Sequence, residues 1–294
     1  MSRAKTDFKS RLRAYYQLSK PGIVYGNLIS ALAGYLLASA FDITWRVLLG
    51  LIVGMGLVIA AACTCNNYMD RRIDVVMKRT SERPLVTGLL TGRQALTYGI
   101  VALGTGLIVL LGTQNTLTSV LIVIAFIDYV FLYGYGKRAS VHGTLVGTIS
   151  GSLPLVAGYT AVTDAFDGGA LLLFLLMAAW QMAHFYGIAL YRLADYKAAH
   201  IPVMPAVRGI GTTVWQVLAY IVLFVVSSLL LVVFGYVGVI PGILLLVLGM
   251  AWLWRAAMAR QRLEAVAWGQ QIFLFSLIVM VGMSALLAVG QLLP

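Results

Sequence analysis

Charge is what this sequence has least of. Of its 294 residues only 11% are Asp, Glu, Lys or Arg, where soluble domains carry about a quarter. Such a chain is not a disordered one, which needs low hydrophobicity. Nor does it have the polar surface of a soluble nucleic-acid binder, whatever its net charge of +11 invites. Cysteine is nearly absent: Cys63 and Cys65 stand two apart in an apolar run, on different helix faces, which disfavours a disulfide or a metal pair and leaves packing roles. The alternation of apolar and polar residues that a membrane β-strand requires is missing too.

Long hydrophobic runs are what the chain does have, with 61% apolar residues and a mean hydropathy of +0.93. A bilayer core of about 30 Å needs roughly 20 apolar residues per helix. Nine such runs are present, at Gly22–Phe41, Arg46–Met69, Gln94–Gly112, Leu117–Gly134, Val141–Thr163, Gly169–Leu190, Val214–Phe234, Val239–Met258 and Gly269–Leu292. They predict an all-α integral membrane protein of about nine transmembrane helices around a central cavity. Residues 1–21 would form a basic arm on the membrane surface, without a signal peptide's apolar stretch, and residues 22–294 a single intramembrane domain. Glycines at Gly104–Gly106 and Gly143–Gly147–Gly151 predict close helix approach.

All of the 21 Lys and Arg except Arg46 fall before the first run, after an even-numbered one or, for Arg255, in the last turn of one. The positive-inside rule makes that face cytoplasmic, with the N-terminus inside and the C-terminus external. Topology thereby accounts for most of the positive charge.

Ten acidic residues remain to be placed. Asp42, Asp164 and Asp167 in outer loops, and Asp7 and Glu264 in inner segments, read as solvated charges. Asp128 lies within the fourth run and should face the bundle interior. Asn66, Asp70 and Asp74 are spaced four apart and therefore share one helix face over a rise of about 12 Å. Two carboxylates and an amide oxygen on one stripe suit Mg²⁺, which completes its shell with phosphate and water. Like charges one turn apart call for a cation between them, and Arg71, Arg72, Lys78, Arg79 and Arg83 nearby could hold diphosphate oxygens. The spacing D-x9-P-x3-G of Asp74, Pro84 and Gly88 recurs as Asp195, Pro205 and Gly209, placing a second acid on the same membrane face.

On these residues the chain resembles the UbiA-like intramembrane prenyltransferases. Their NxxxDxxxD signature stands here as Asn66, Asp70 and Asp74, followed by the family-like Lys78-Arg79-Thr80 and Arg83-Pro84-Leu85. Trp180-Gln181-Met182-Ala183-His184-Phe185, Asp195-Tyr196-Lys197 and Ile201-Pro202-Val203-Met204-Pro205 resemble the second conserved region of the branch that farnesylates haem. Lys20-Pro21-Gly22 is similar to the stretch opening that branch's first span. Two features depart from the pattern: Ala199 stands where the wider family's second DxxxD has its last acid, and Ala183 where the branch commonly has Pro.

The resemblance implies transfer of the farnesyl group of farnesyl diphosphate to a vinyl group of haem B, giving haem O, with Mg²⁺ as cofactor, in a bacterial inner membrane. Asp70 and Asp74, helped by Asn66, would hold the metal, and Asp195 would carry a second one or orient Lys197. Lys78, Arg79, Arg83, Lys137, Arg138 and Lys197 become candidates for diphosphate contacts. Tyr133 and Tyr186 are candidates for the prenyl cavity, although packing or the interfacial aromatic belt also accommodates them. His184, with Gln181 beside it, is the candidate to touch haem iron or a propionate, a hydrogen-bonded core His being the alternative. Hand-over of the product to oxidase assembly proteins would follow. A secondary transporter would place its ionisable groups near the midplane, and a quinone-precursor prenyltransferase would bring the second DxxxD.

Overall fold

The computed structural model describes residues 8–77, 80–260 and 262–293. Nine helices among the described residues are long and apolar enough to cross a bilayer. A short helix α1 (Phe8–Leu18) precedes the spans α2 (Pro21–Ser39), α3 (Trp45–Asp74) and α4 (Gly92–Thr113). The fourth span is composite: α5 (Thr116–Ile127), a π-helical turn (Asp128–Leu132) and α6 (Tyr133–Ala139). Then come α7 (Gly143–Thr163), α8 (Gly168–Tyr191), the short α9 (Leu193–Ala198) and α10 (Met204–Val207), and the spans α11 (Ile210–Val233), α12 (Val239–Arg260) and α13 (Ala265–Ala288). No described residue is in a strand. The outer faces are covered by lipid-type side chains, such as Ile100, Ile108 and Leu111 on α4, as an integral membrane protein requires.

Each apolar run corresponds to one span, and the differences lie at the ends. α3 continues past Met69 to Asp74, and the fourth span past Gly134 to Ala139, which takes Lys137 and Arg138 into its last turn. Hydropathy marks the hydrocarbon slab, whereas the backbone ladder runs on into polar sequence wherever partners exist. Three of the helix starts carry a side-chain cap: Thr91 and Gln94 form a capping box, Asn115 accepts from Thr118 N, and Asp167 accepts from Ala170 N. Asp167 also accepts from the Tyr159 hydroxyl at 3.0 Å, so it has a structural role besides being the exposed loop charge expected.

Lipid tails are as apolar as the side chains, so helices associate through close packing and polar bonds rather than by escape from water. α2 and α7 show the first. A Cβ on Gly34 would collide with the Leu155 carbonyl, and one on Gly158 with the Ala31 carbonyl. α5 and α7 show the second, through Thr118 and Thr160 hydroxyls 2.9 Å apart and an Asn115 amide donating to Thr160 O at 2.7 Å. Of the glycines expected to bring helices together, Gly106 does so against Gly54 of α3, while Gly104 faces open space. α8 packs between α7, α11 and α13, and α2 closes the ring against α3, α7 and α13.

Replacing Gly158 with Ala should destabilise the protein by about 1–3 kcal/mol, the usual range for overpacking. Gly104→Ala should be neutral or stabilising by up to about 1 kcal/mol through helix propensity. Thermal unfolding in detergent followed by circular dichroism separates the two, and equal midpoints would refute the close-contact account of α2 and α7.

Candidate active site

The last turns of α3 carry Asn66, Asp70 and Asp74 on one face, and all three are buried. Each oxygen group is met by a cation from a different part of the chain. Lys20 Nζ donates to Asn66 Oδ1 at 2.6 Å. Lys137 and Arg138, in the last turn of α6, each lie 2.5 Å from a different oxygen of Asp70. Arg83 reaches Asp74 Oδ2 at 2.7 Å. The sequence calls for positive charge between the acids, and Lys and Arg side chains supply it.

Lys20 is the residue that the motif spacing did not single out. It ends α1's connection to α2 in a left-handed backbone, φ 50°, ahead of Pro21. Asn67 Nδ2 donates to Leu18 O at 2.7 Å, so α1 is tied to α3 and Lys20 is aimed at the stripe. Burial pushes its ammonium down to about 8, with Arg83 and Lys137 adding to the shift. A sequence signal existed in Lys20-Pro21, a cation immediately before a proline that starts a span.

The other expected residues fall out as follows. Lys78 and Arg79 lie outside the described residues. Arg71 donates to Tyr68 O and sits over the Tyr68 ring. Asp195 and Lys197 are on α9, and among the described residues neither makes a salt bridge. The two D-x9-P-x3-G segments share a backbone feature: Gly88 and Gly209 both have positive φ, 76° and 88°, a conformation that favours glycine.

Among the described residues no three His, Cys, Asp or Glu side chains form a metal-binding group. Two carboxylates and one amide oxygen on a helix end are nonetheless the kind of hard-oxygen set that fits Mg²⁺, whose shell usually keeps water and substrate phosphate. Among the described residues Asn66 Nδ2, which is buried, has no hydrogen-bond partner, a donor suited to an anionic oxygen.

A cavity of about 320 Å³ is lined by residues of α2, α3, the composite fourth span, α7, α8 and α13, within the size range of small-molecule sites. Its wall is apolar and aromatic. Tyr129 and Tyr133 lie on it with ring centroids 5.6 Å apart, and Lys137 Nζ sits 5.3 Å from the Tyr133 ring. This places a cavity tyrosine beside the cation that pairs with Asp70. Cys63 also lines the cavity, and Phe185 with it, so Cys63 is a wall residue as well as a packing one.

Gln181 and His184 also line the cavity, with Gln181 donating to Ser152 Oγ at 3.1 Å. Gly151 is what lets Gln181 lean on α7, since a Cβ there would strike the side-chain amide. Tyr186 is a correction: it is buried against Tyr220 of α11 and does not line the cavity. Two residues along a helix turn a side chain by about 200°, so Tyr186 and His184 face opposite ways. Asp128 is buried as expected, where one carboxylate oxygen accepts from Ser150 N at 3.0 Å and the other has no partner among the described residues.

Comparison with known proteins identifies the family and the fold. The UbiA prenyltransferase family matches residues 27–285. A protoheme IX farnesyltransferase of Yersinia pseudotuberculosis is 42% identical over 279 residues, 95% of each chain. Among solved structures, one described for digeranylgeranylglyceryl phosphate synthase superposes with a TM-score of 0.79 at 20% identity, covering 95% of this chain and 98% of that one. A UbiA homolog from Archaeoglobus fulgidus bound to DMAPP and Mg²⁺ does so at 0.71 and 16%, covering 94% and 99%. The chain belongs to the UbiA prenyltransferase family.

Proposed function

We propose that the protein transfers the farnesyl group of farnesyl diphosphate to a vinyl group of haem B, yielding haem O and diphosphate. One observation carries the reading: a buried oxygen stripe clasped by Lys and Arg adjoins an aromatic-walled apolar cavity. The 42% identity to a protoheme IX farnesyltransferase supports haem as the acceptor, and the Mg²⁺ in the A. fulgidus homolog supports the metal. The basic face with the stripe is the cytoplasmic side of a bacterial inner membrane, following the positive-inside rule.

In this reading Asp70 and Asp74, with Asn66, hold Mg²⁺, and Asp195 holds a second ion or orients Lys197. The metal supplies electrophilic assistance by neutralising the leaving diphosphate. Lys20, Arg83, Lys137 and Arg138 turn from their carboxylate and amide partners to the diphosphate oxygens, stabilising charge as the C–O bond breaks. Lys78, Arg79 and Lys197 are further candidates for that role. The electron pair of the C–O bond leaves with diphosphate. The allylic carbon of the prenyl chain bonds to the terminal vinyl carbon, and water adds to the neighbouring carbon and gives up one proton. Tyr133 and Tyr129 present ring faces that stabilise the cation, and the apolar wall keeps water from capturing it early.

Purified protein in detergent with haem B, farnesyl diphosphate and Mg²⁺ should give the farnesylhydroxyethyl adduct by mass spectrometry, and a chelator should abolish it reversibly. Absence of the adduct beside a working control would sink the assignment. Asp70→Asn should lower turnover by about 10²-fold or more, the scale of losing one charge-stabilising group. Tyr133→Leu should reduce turnover while Tyr186→Phe leaves it near wild type, and the reverse order would contradict the placement of the cavity wall.

A further inference from the structure

Cavity-wall side chains carry one more piece of information, in the hydrogen bonds behind His184. The imidazole Nδ1 lies 2.6 Å from Ser276 Oγ on α13, and that same hydroxyl lies 2.6 Å from the Phe273 carbonyl. Ser276 has a single hydroxyl hydrogen. An oxygen–oxygen contact of 2.6 Å is held by a proton between the atoms, so the hydroxyl donates to Phe273 O and accepts from Nδ1–H. A neutral imidazole has only one N–H. Nε2 is therefore the bare nitrogen, and among the described residues it has no hydrogen-bond partner.

The ring is also held in orientation. Trp180 stacks on it at 4.9 Å and 20°, and the Trp180 indole donates to the Ser276 carbonyl at 2.8 Å, so one residue anchors both rings. Phe273 and Phe185 close two further sides, with centroids 5.2 and 5.4 Å away. His184 lines the cavity, and its remaining edge carries a lone pair. Phe185 and Leu277, which also line the cavity, are 36% and 41% exposed.

We propose that His184 is an axial ligand of the haem iron through Nε2, with Ser276 as the positioning residue that fixes the tautomer. This rests on haem being the acceptor substrate. A metal-ligating His whose other nitrogen donates to a fixed acceptor is the usual arrangement in metalloproteins, and imidazole is a common haem ligand. Coordination would hold the macrocycle face against the stacked Trp180–His184 pair and leave its vinyl edges for the chemistry.

Ligation is tested apart from catalysis, by adding ferric haem B to the purified protein without farnesyl diphosphate or Mg²⁺. Absorption and electron paramagnetic resonance spectra of the wild type should show an imidazole-ligated iron. His184→Ala should lose that signature and regain it when free imidazole is added. Ser276→Ala should keep the ligand but bind haem about 10–100-fold more weakly, the usual effect of losing such a partner. The proposal is overturned if the wild type lacks the signature, if His184→Ala retains it, or if Ser276→Ala binds haem as tightly as the wild type. Failure to form the farnesyl adduct would instead count against the proposed reaction, whatever the spectra show.

Discussion

A carboxylate at the edge of a hydrocarbon slab is tolerated only with a cation against it, and much of this architecture follows from that pairing. Leaving one such charge buried and unpaired is destabilising by about 3–5 kcal/mol. Asp70 therefore draws the end of α6 to α3, Asp74 draws the segment bearing Arg83, and Asn66 draws the junction of α1 and α2. Three stretches far apart in the chain are gathered at one helix end. The cavity beneath them is bounded by α2, α3 and the composite fourth span among others, so the contacts that make the acids stable also fix helices that wall the cavity.

Beneath that mouth the packing obeys a different rule. Interior polar bonds recur where two helices must be kept at a set distance, as between Asn115 and Thr160 or Trp180 and Ser276, and glycines recur where they must touch. The fourth span departs from regular α geometry at Asp128–Leu132, and a π turn of this kind often accompanies functional sites. Here it sits directly before Tyr133, Lys137 and Arg138 and sets how they project.

The stripe was legible because it depends on helical period alone: Asn66, Asp70 and Asp74 share a face whatever surrounds α3. The spans were legible because a slab of given thickness demands runs of given length. What escaped were facts about facing and pairing. Tyr186 sits in the expected segment, yet which side of α8 meets the cavity is decided by α7, α11 and α13 together. Lys20 meets Asn66 across 46 positions and Ser276 meets His184 across 92, distances at which periodicity says nothing. The π turn was hidden as well, since an apolar run reads the same with or without an inserted residue.

Four cationic groups, Lys20, Arg83, Lys137 and Arg138, face two carboxylates at the mouth of the cavity. The rim is thus electropositive before any substrate arrives, and, at the polar end of the apolar runs, it stands at the level that helix length assigns to lipid head groups. A molecule with a long hydrocarbon tail and an anionic head dissolves in the same membrane with its head at that level. Its search for the protein is then a planar diffusion, and the field at the rim orients the head toward the stripe while the tail is already in an apolar phase.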